Sequence, residues 1–136
     1  MFMFKHLFFV FILIQMFYTS PSYSQEFSKE MTSSHTPELM KFYEYLHANP
    51  ELSFQEFKTA STLASELKKL GFEVKEKIGR TGVVGVFRNG KGPTVLVRTD
   101  MDGLPVLENT KLPYASKAVA RNDKGLDTGV MHACGH

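Results

Sequence analysis

One cysteine in 136 residues, no cluster of lysine or arginine, and no apolar run long enough for a bilayer set the limits on this chain. A formal charge of +2 without a basic stripe or block gives no reason to expect nucleic acid as a partner. The longest apolar stretch, residues 7–17, falls short of the roughly 18–20 residues that a helical span needs. There is no internal repeat, no low-complexity segment and no second domain boundary. What remains is ordinary globular composition, 43% hydrophobic and 22% charged, at a length suited to one domain with its own core.

Phenylalanine is unevenly spread, with seven of the twelve in the first twenty-seven residues. Lys5 and His6 precede an apolar run from Leu7 to Phe17 broken only by Gln15, and a small polar stretch ends in Ser22-Tyr23-Ser24. That order predicts a cleaved export signal over residues 1–24, cut before Gln25, and a periplasmic or secreted protein with no stable membrane span afterwards. The competing reading is an anchor retained as a lipid-side tether. Removal takes away Lys5 and no acid, lowering the formal charge from +2 to +1. In an oxidising compartment an odd thiol tends to pair or oxidise, so a lone cysteine there needs a reason. Metal coordination is one; a small buried apolar cysteine is the other.

Residues 25–36 are polar and without clear period, which predicts a flexible leader. Thr36-Pro37 then reads as the start of a helix whose apolar face is Leu39, Phe42, Tyr43 and Leu46, ending before Pro50. Ser53-Phe54-Gln55-Glu56 reads as a capping box opening a second helix. That helix carries a stripe of Phe57, Ala60, Leu63, Ala64, Leu67 and Leu70 and stops at Gly71. Strands are predicted over residues 72–77 and 83–87 around a turn at Gly79 to Gly82, and a third over Thr94 to Thr99 after turn residues Asn89 to Gly92. The apolar run of the third predicts a sheet interior covered on both faces. Residues 106–128 read as mostly loop, with turns at Leu112-Pro113-Tyr114 and Asn122 to Gly125. The fold class expected is α/β.

The chemistry-bearing residues gather late. Gly129-Val130-Met131-His132-Ala133-Cys134-Gly135-His136 holds the only cysteine and two of the five histidines. Thiolate and imidazole are ligands for zinc and related divalent ions. On an extended backbone Cys134 and His136 share a face, so both can aim at one ion, with the remaining ligands coming from elsewhere. His132 reads better as a supporting or core histidine. A Cys134 nucleophile with a histidine base competes, but no orienting partner and oxyanion hole accompany it. Asp100 and Asp102 end the predicted third strand, where α/β sheets bind ligands, and Arg98 shares their face. Either aspartate can orient a metal-bound imidazole, or simply begin a loop. His47, at a helix end, reads mainly as exposed or bonded to terminal carbonyls.

Three stretches resemble the peptidase M20 amidohydrolases, in the branch of N-acyl-amino-acid amidohydrolases, hippurate hydrolases and plant auxin-conjugate hydrolases. They are Leu46-His47-Ala48-Asn49-Pro50-Glu51-Leu52-Ser53-Phe54-Gln55-Glu56, Val97-Arg98-Thr99-Asp100-Met101-Asp102-Gly103-Leu104-Pro105, and Gly129 to His136. Their order and intervals agree with the family, over about residues 37–136. Asn49, Thr99 and Gly103 depart mildly from the residues more usual in this branch, and none touches the metal pair.

The resemblance implies a metal-dependent exopeptidase-like catalytic domain, helices packed on a mixed sheet, of which residues 37–136 are the N-terminal portion. It implies two divalent ions per site (zinc, manganese, cobalt or nickel), with Cys134 and His136 as ligands and Asp100 in a ligand-orienting role. Arg98 stands where related branches have a metal-binding histidine, so it is no ligand. The implied reaction is hydrolysis of an amide in N-acyl amino acids or small peptide-like substrates, with a glutamate as general base. The family's other ligands and that glutamate are expected beyond residue 136, so residues 1–136 by themselves are expected to be inactive. The full-length protein is expected to be a homodimer. The alternative from another class is an exported, non-catalytic binding domain.

Overall fold

The computed structural model describes residues 23–135, with side chains from residue 28. In chain order it holds α1 (Tyr23–Ala48), α2 (Phe57–Lys69), β1 (Glu73–Ile78), β2 (Gly82–Val86), β3 (Val119–Arg121) and β4 (Asp127–Gly129). It divides into two compact units, one reaching Lys41 and one beginning at Phe42. The export signal expected over residues 1–24 lies outside the described residues except for Tyr23 and Ser24, which open α1. Among the described residues no helix is long and apolar enough to cross a membrane.

In the first unit, the stretch expected to be an irregular leader is helical, and α1 does not start at Thr36-Pro37. Residues 23–36 contain neither glycine nor proline to interrupt a helix. Their hydroxyls also turn inward: Thr32 and Thr36 donate to the carbonyls of Ser28 and Thr32, each at 2.6 Å. Ser33 and Ser34 do the same to Glu30 and Met31, each at 2.9 Å. A Thr36 hydroxyl bonded back to the preceding turn is not available as an N-cap. Pro37 therefore sits inside the helix, where it removes one ladder bond without ending it.

In the second unit, α1 stops at Ala48 as expected. Asn49 closes its end, the backbone N–H reaching Leu46 O at 3.1 Å and the side-chain amide reaching Tyr45 O at 2.8 Å. Helix α2 starts four residues after Ser53, which lies in a turn with Phe54 at φ 61°. Its first-turn donors are satisfied instead by the Glu51 carboxylate. That group accepts from the backbone N–H of Lys58 (3.2 Å) and of Thr59 (2.7 Å), and from the Thr59 hydroxyl (2.8 Å). A carboxylate there also suits the positive end of the helix. Ala60 and Ala64 are buried, whereas Phe57 and Leu70 at the two ends of the stripe stay exposed.

The far end of α2 is a Schellman closure: Gly71 at φ 85° donates to Lys68 O at 3.0 Å, and Phe72 donates to Leu67 O at 3.1 Å. The chain then folds onto α2 as the antiparallel pair β1–β2, in the register Glu73↔Val86, Val74↔Gly85 and Lys75↔Val84. Gly85 faces Leu67 and Phe72 so closely that a Cβ would stand 3.2 and 3.1 Å from them. A buried bond of 2.6 Å from the Thr81 hydroxyl to Glu56 ties the hairpin turn to the start of α2.

The third strand expected over Thr94 to Thr99 does not form. Val95, Leu96 and Val97 are 80%, 87% and 87% exposed, the opposite of a sheet interior. A strand needs a neighbouring ladder, and β1 and β2 are hydrogen-bonded to each other, with no strand beside residues 94–99 among those described.

Residues 106–128, expected to be mostly loop, hold one arm of a second hairpin and most of the other, which ends at Gly129. Strands β3 and β4 pair as Val119↔Gly129, Ala120↔Thr128 and Arg121↔Asp127. The turn between them falls at Asn122 to Gly125 as expected, with Asn122 Oδ1 accepting from the N–H of Lys124 and of Leu126, each at 3.0 Å. Arms of three residues are too short to show a strand period in sequence. Among the described residues, Leu52, Ala60, Ala64 and Val130 are buried apolar side chains. Single bridges join Leu52 to Gly103 and Leu104 to Met131, so the segments before α2, after residue 102 and after β4 converge.

Candidate metal centre

The stretch carrying Cys134 leaves the end of β4 and is gripped on both sides before it reaches the thiol. Val130, 1% exposed, donates its N–H to Ala118 O at 3.0 Å and accepts at its carbonyl the buried Ser116 hydroxyl at 2.7 Å. Met131 and Leu104 exchange both backbone bonds, at 3.0 and 2.8 Å. Beyond Met131 the grip ends. His132 is half-buried, and Cys134 is exposed with a free thiol. Gly135 turns through φ 75°, so the backbone after Cys134 is left-handed and not the extended form that a shared face requires. His136, the second expected ligand, lies outside the described residues.

Asp100 and Asp102 do not share a strand face, because no strand is present there. Asp100 pairs with Arg98, Nη2 to Oδ1 at 2.7 Å, on the exposed side. Asp102 is brought to His132 instead. Burial pushes the His132 imidazole below its ordinary pKa, and the nearby His47 pushes the same way. A backbone hydrogen bond to Asp102 and the Asp102 charge oppose both. The structure thus joins Asp102 with His132 and Arg98 with Asp100. Among the described residues it brings no three His, Cys, Asp or Glu groups close enough to hold an ion. The donors that are present, an accessible unpaired thiol and a half-buried imidazole beside a carboxylate, are the chemistry a borderline divalent ion prefers. The residues fit such an ion as part of its ligand shell.

His47 is neither exposed nor bonded to terminal carbonyls, as its helix-end position suggested. Its ring lies between Tyr43, stacked at 5.9 Å, and Tyr114, edge-on at 5.5 Å. Its Nε2 stands 3.0 Å from Glu108 Oε1, with the two side chains 7% and 0% exposed. Glu108 also accepts from the Thr110 hydroxyl and from the backbone N–H of Ser116, at 2.5 Å for the latter. The Thr110 and His47 bonds, more than the others, hold the Glu108 carboxyl down at about 2 against its burial. Nothing in the local sequence marked Glu108, which lies in a stretch without period. A cleft of about 420 Å³ runs past Pro50, Glu51, Lys58, Lys117 and Val119, and the Cys134 stretch does not line it.

No protein-family model matches the chain. It is 46% identical over 111 residues to a probable hydrolase of Synechocystis sp., covering 79% of this chain and 26% of that protein. To the hippurate hydrolase of Campylobacter jejuni it is 47% identical over 100 residues, covering 73% of this chain and 24% of that enzyme. Among solved structures, a Bacillus subtilis dinuclear metal-binding peptidase from the M20 family superposes with a TM-score of 0.63 at 35% identity. That match covers 76% of this chain and 27% of the peptidase. The chain spans about a quarter of the length of the curated relatives it matches.

Proposed function

This chain belongs with the M20 amidohydrolases, matching about a quarter of their length, and from that premise we infer that the whole protein hydrolyses amide bonds in N-acyl amino acids or small peptide-like substrates. The observation that carries the reading is the accessible, unpaired Cys134 thiol, three residues beyond a backbone held on both sides by hydrogen bonds as far as Met131. A fixed approach and an exposed end are what a metal ligand requires, since a loose one loses the geometry that the ion enforces.

In this reading Cys134 and His136 hold two divalent ions together with ligands from the rest of the protein. When bound, those ions supply Lewis-acid polarisation of the acyl carbonyl and acidify water. Asp100 orients a ligand, with Arg98 neutralising its outer side at 2.7 Å. Asp102 holds the ring of His132, two residues before Cys134 in the chain. Residues 1–24 direct export, and the whole protein works as a homodimer.

The test is hydrolysis of hippurate and of N-acetyl amino acids by the intact protein, before and after chelation and with metals restored. Activity lost to a chelator, recovered with a divalent ion and absent in Cys134→Ser supports the reading. Activity indifferent to chelators but abolished by thiol alkylation would mean that Cys134 is a nucleophile, and would sink it.

A further inference from the structure

The metal reading gives no task to the Glu108 carboxylate, whose side chain is 0% exposed. An ionised carboxylate only accepts hydrogen bonds, and burying one is costly unless donors surround it. Glu108 has three, from three places in the chain: the His47 ring at the end of α1, the Thr110 hydroxyl and the backbone N–H of Ser116. Two come from the loop between Leu104 and β3, and β3 pairs with β4, which precedes the metal stretch. Ser116 is held through its N–H, so its side chain has a fixed origin. Its hydroxyl accepts from Ala118 N at 3.1 Å and donates to Val130 O at 2.7 Å. That bond sets the plane of the peptide joining Val130 to Met131. Met131 then locks to Leu104, and Cys134 follows three residues later.

We propose that Glu108 is a positioning residue for Cys134, acting through the Ser116 hydroxyl and the Val130 carbonyl to fix the backbone from which the thiol-bearing stretch departs. The inference rests on the metal reading above. Its geometry is independent of that reading, because every bond in the series lies among residues that do not themselves bind the ion. His47 closes the far side of the arrangement. It gives the carboxylate its charged or neutral N–H partner and ties it to α1 between two tyrosine rings. Groups that orient a ligand without touching the metal commonly change its affinity by about 10- to 100-fold when removed. The series predicts an effect at the low end, since it acts through backbone and not through the ligand's own side chain.

The experiment is cobalt titration of the intact apo protein, read by the thiolate-to-cobalt absorption and by competition with a chelating dye. Thermal unfolding is followed on the same samples. Cys134→Ser identifies the thiolate band. Glu108→Gln and Ser116→Ala are expected to weaken cobalt binding about tenfold and to alter the band, with Ser116→Thr restoring both. Glu51→Gln, which loosens the cap of α2, is expected to lower the melting temperature and leave cobalt affinity unchanged. If Glu108→Gln does not fold, Ser116→Ala decides alone. Wild-type affinity and band in Ser116→Ala would overturn the proposal, as would an equal loss in Glu51→Gln, which would make the effect one of stability. A wild-type protein with no thiolate band would defeat the metal reading itself, and this inference with it. An intact band unmoved by the variants would defeat the inference only.

Discussion

His47 Nε2 lies 3.0 Å from Glu108 Oε1, sixty-one residues away in sequence, and solvent reaches almost none of either side chain. Sequence periodicity places His47 at a helix end and says nothing of Glu108. The pair exists because Tyr43 and Tyr114 wall off the imidazole and because Thr110 and Ser116 supply the other donors.

Acid should unfold this protein partly through Glu108. Its carboxyl is held at about 2 in the fold against an ordinary 4.5, so its contribution is complete above about pH 4.5 and drains away as pH falls toward 2. Denaturation midpoints measured from pH 6 down to pH 2 should fall through that window. The same series for Glu108→Gln should be flatter there. A variant curve parallel to the wild type would show that Glu108 is not the linked group.

The start of α2 gives a sharper contrast. Glu51→Ala removes the acceptor of three donors at Lys58 and Thr59, and should cost about 0.5–2 kcal/mol. Ser53→Ala should change stability by less than about 0.5 kcal/mol, as exposed turn positions do. Chemical denaturation of both variants checks the pair. A larger loss at Ser53 would restore the capping box that the sequence suggested.

Leu52 is 5% exposed and bridges to Gly103 beside Val130. Leu52→Ala should destabilise by about 2–5 kcal/mol. In a marginal domain that is enough to lower the thermal midpoint by many degrees, and circular dichroism melts would show it. A shift within error would mean that this residue is not in the core.

Cys134 is expected to be alkylated quickly in metal-free protein and slowly once a divalent ion is bound, because coordination occupies the thiolate. Mass spectrometry of iodoacetamide-treated samples, with and without metal, reads the ratio. Equal rates would count against coordination.

How legible the chain was depends on what sets each feature. The α2 stripe, Gly71 and the turn at Asn122 are local physics: periodicity, a left-handed φ and a side chain bonding its own turn. All three could be read from residues alone. The misread starts of α1 and α2 share a cause. Thr36 and Ser53 have the right side chains for caps, but one bonds backwards and the other is displaced by Glu51, and neither choice is marked in the sequence. The strand at residues 94–99 failed for a different reason, since a strand is a property of two segments and sequence shows only one. At the site, the M20-like motifs marked Cys134 directly. Glu108, which reaches that stretch by way of Ser116 and Val130, belongs to no motif read from the sequence.

Val95, Leu96 and Val97 stand more than three-quarters bare to water, and that has a consequence in time. Ribosomes add roughly 5–20 residues per second, so the thirty-nine residues that follow Val97 here take about 2–8 s to be made. Through that interval the nascent chain offers an exposed, uncharged Val-Leu-Val triplet to any neighbour, including another copy of itself. Its survival in the cell then depends on who reaches Leu96 first.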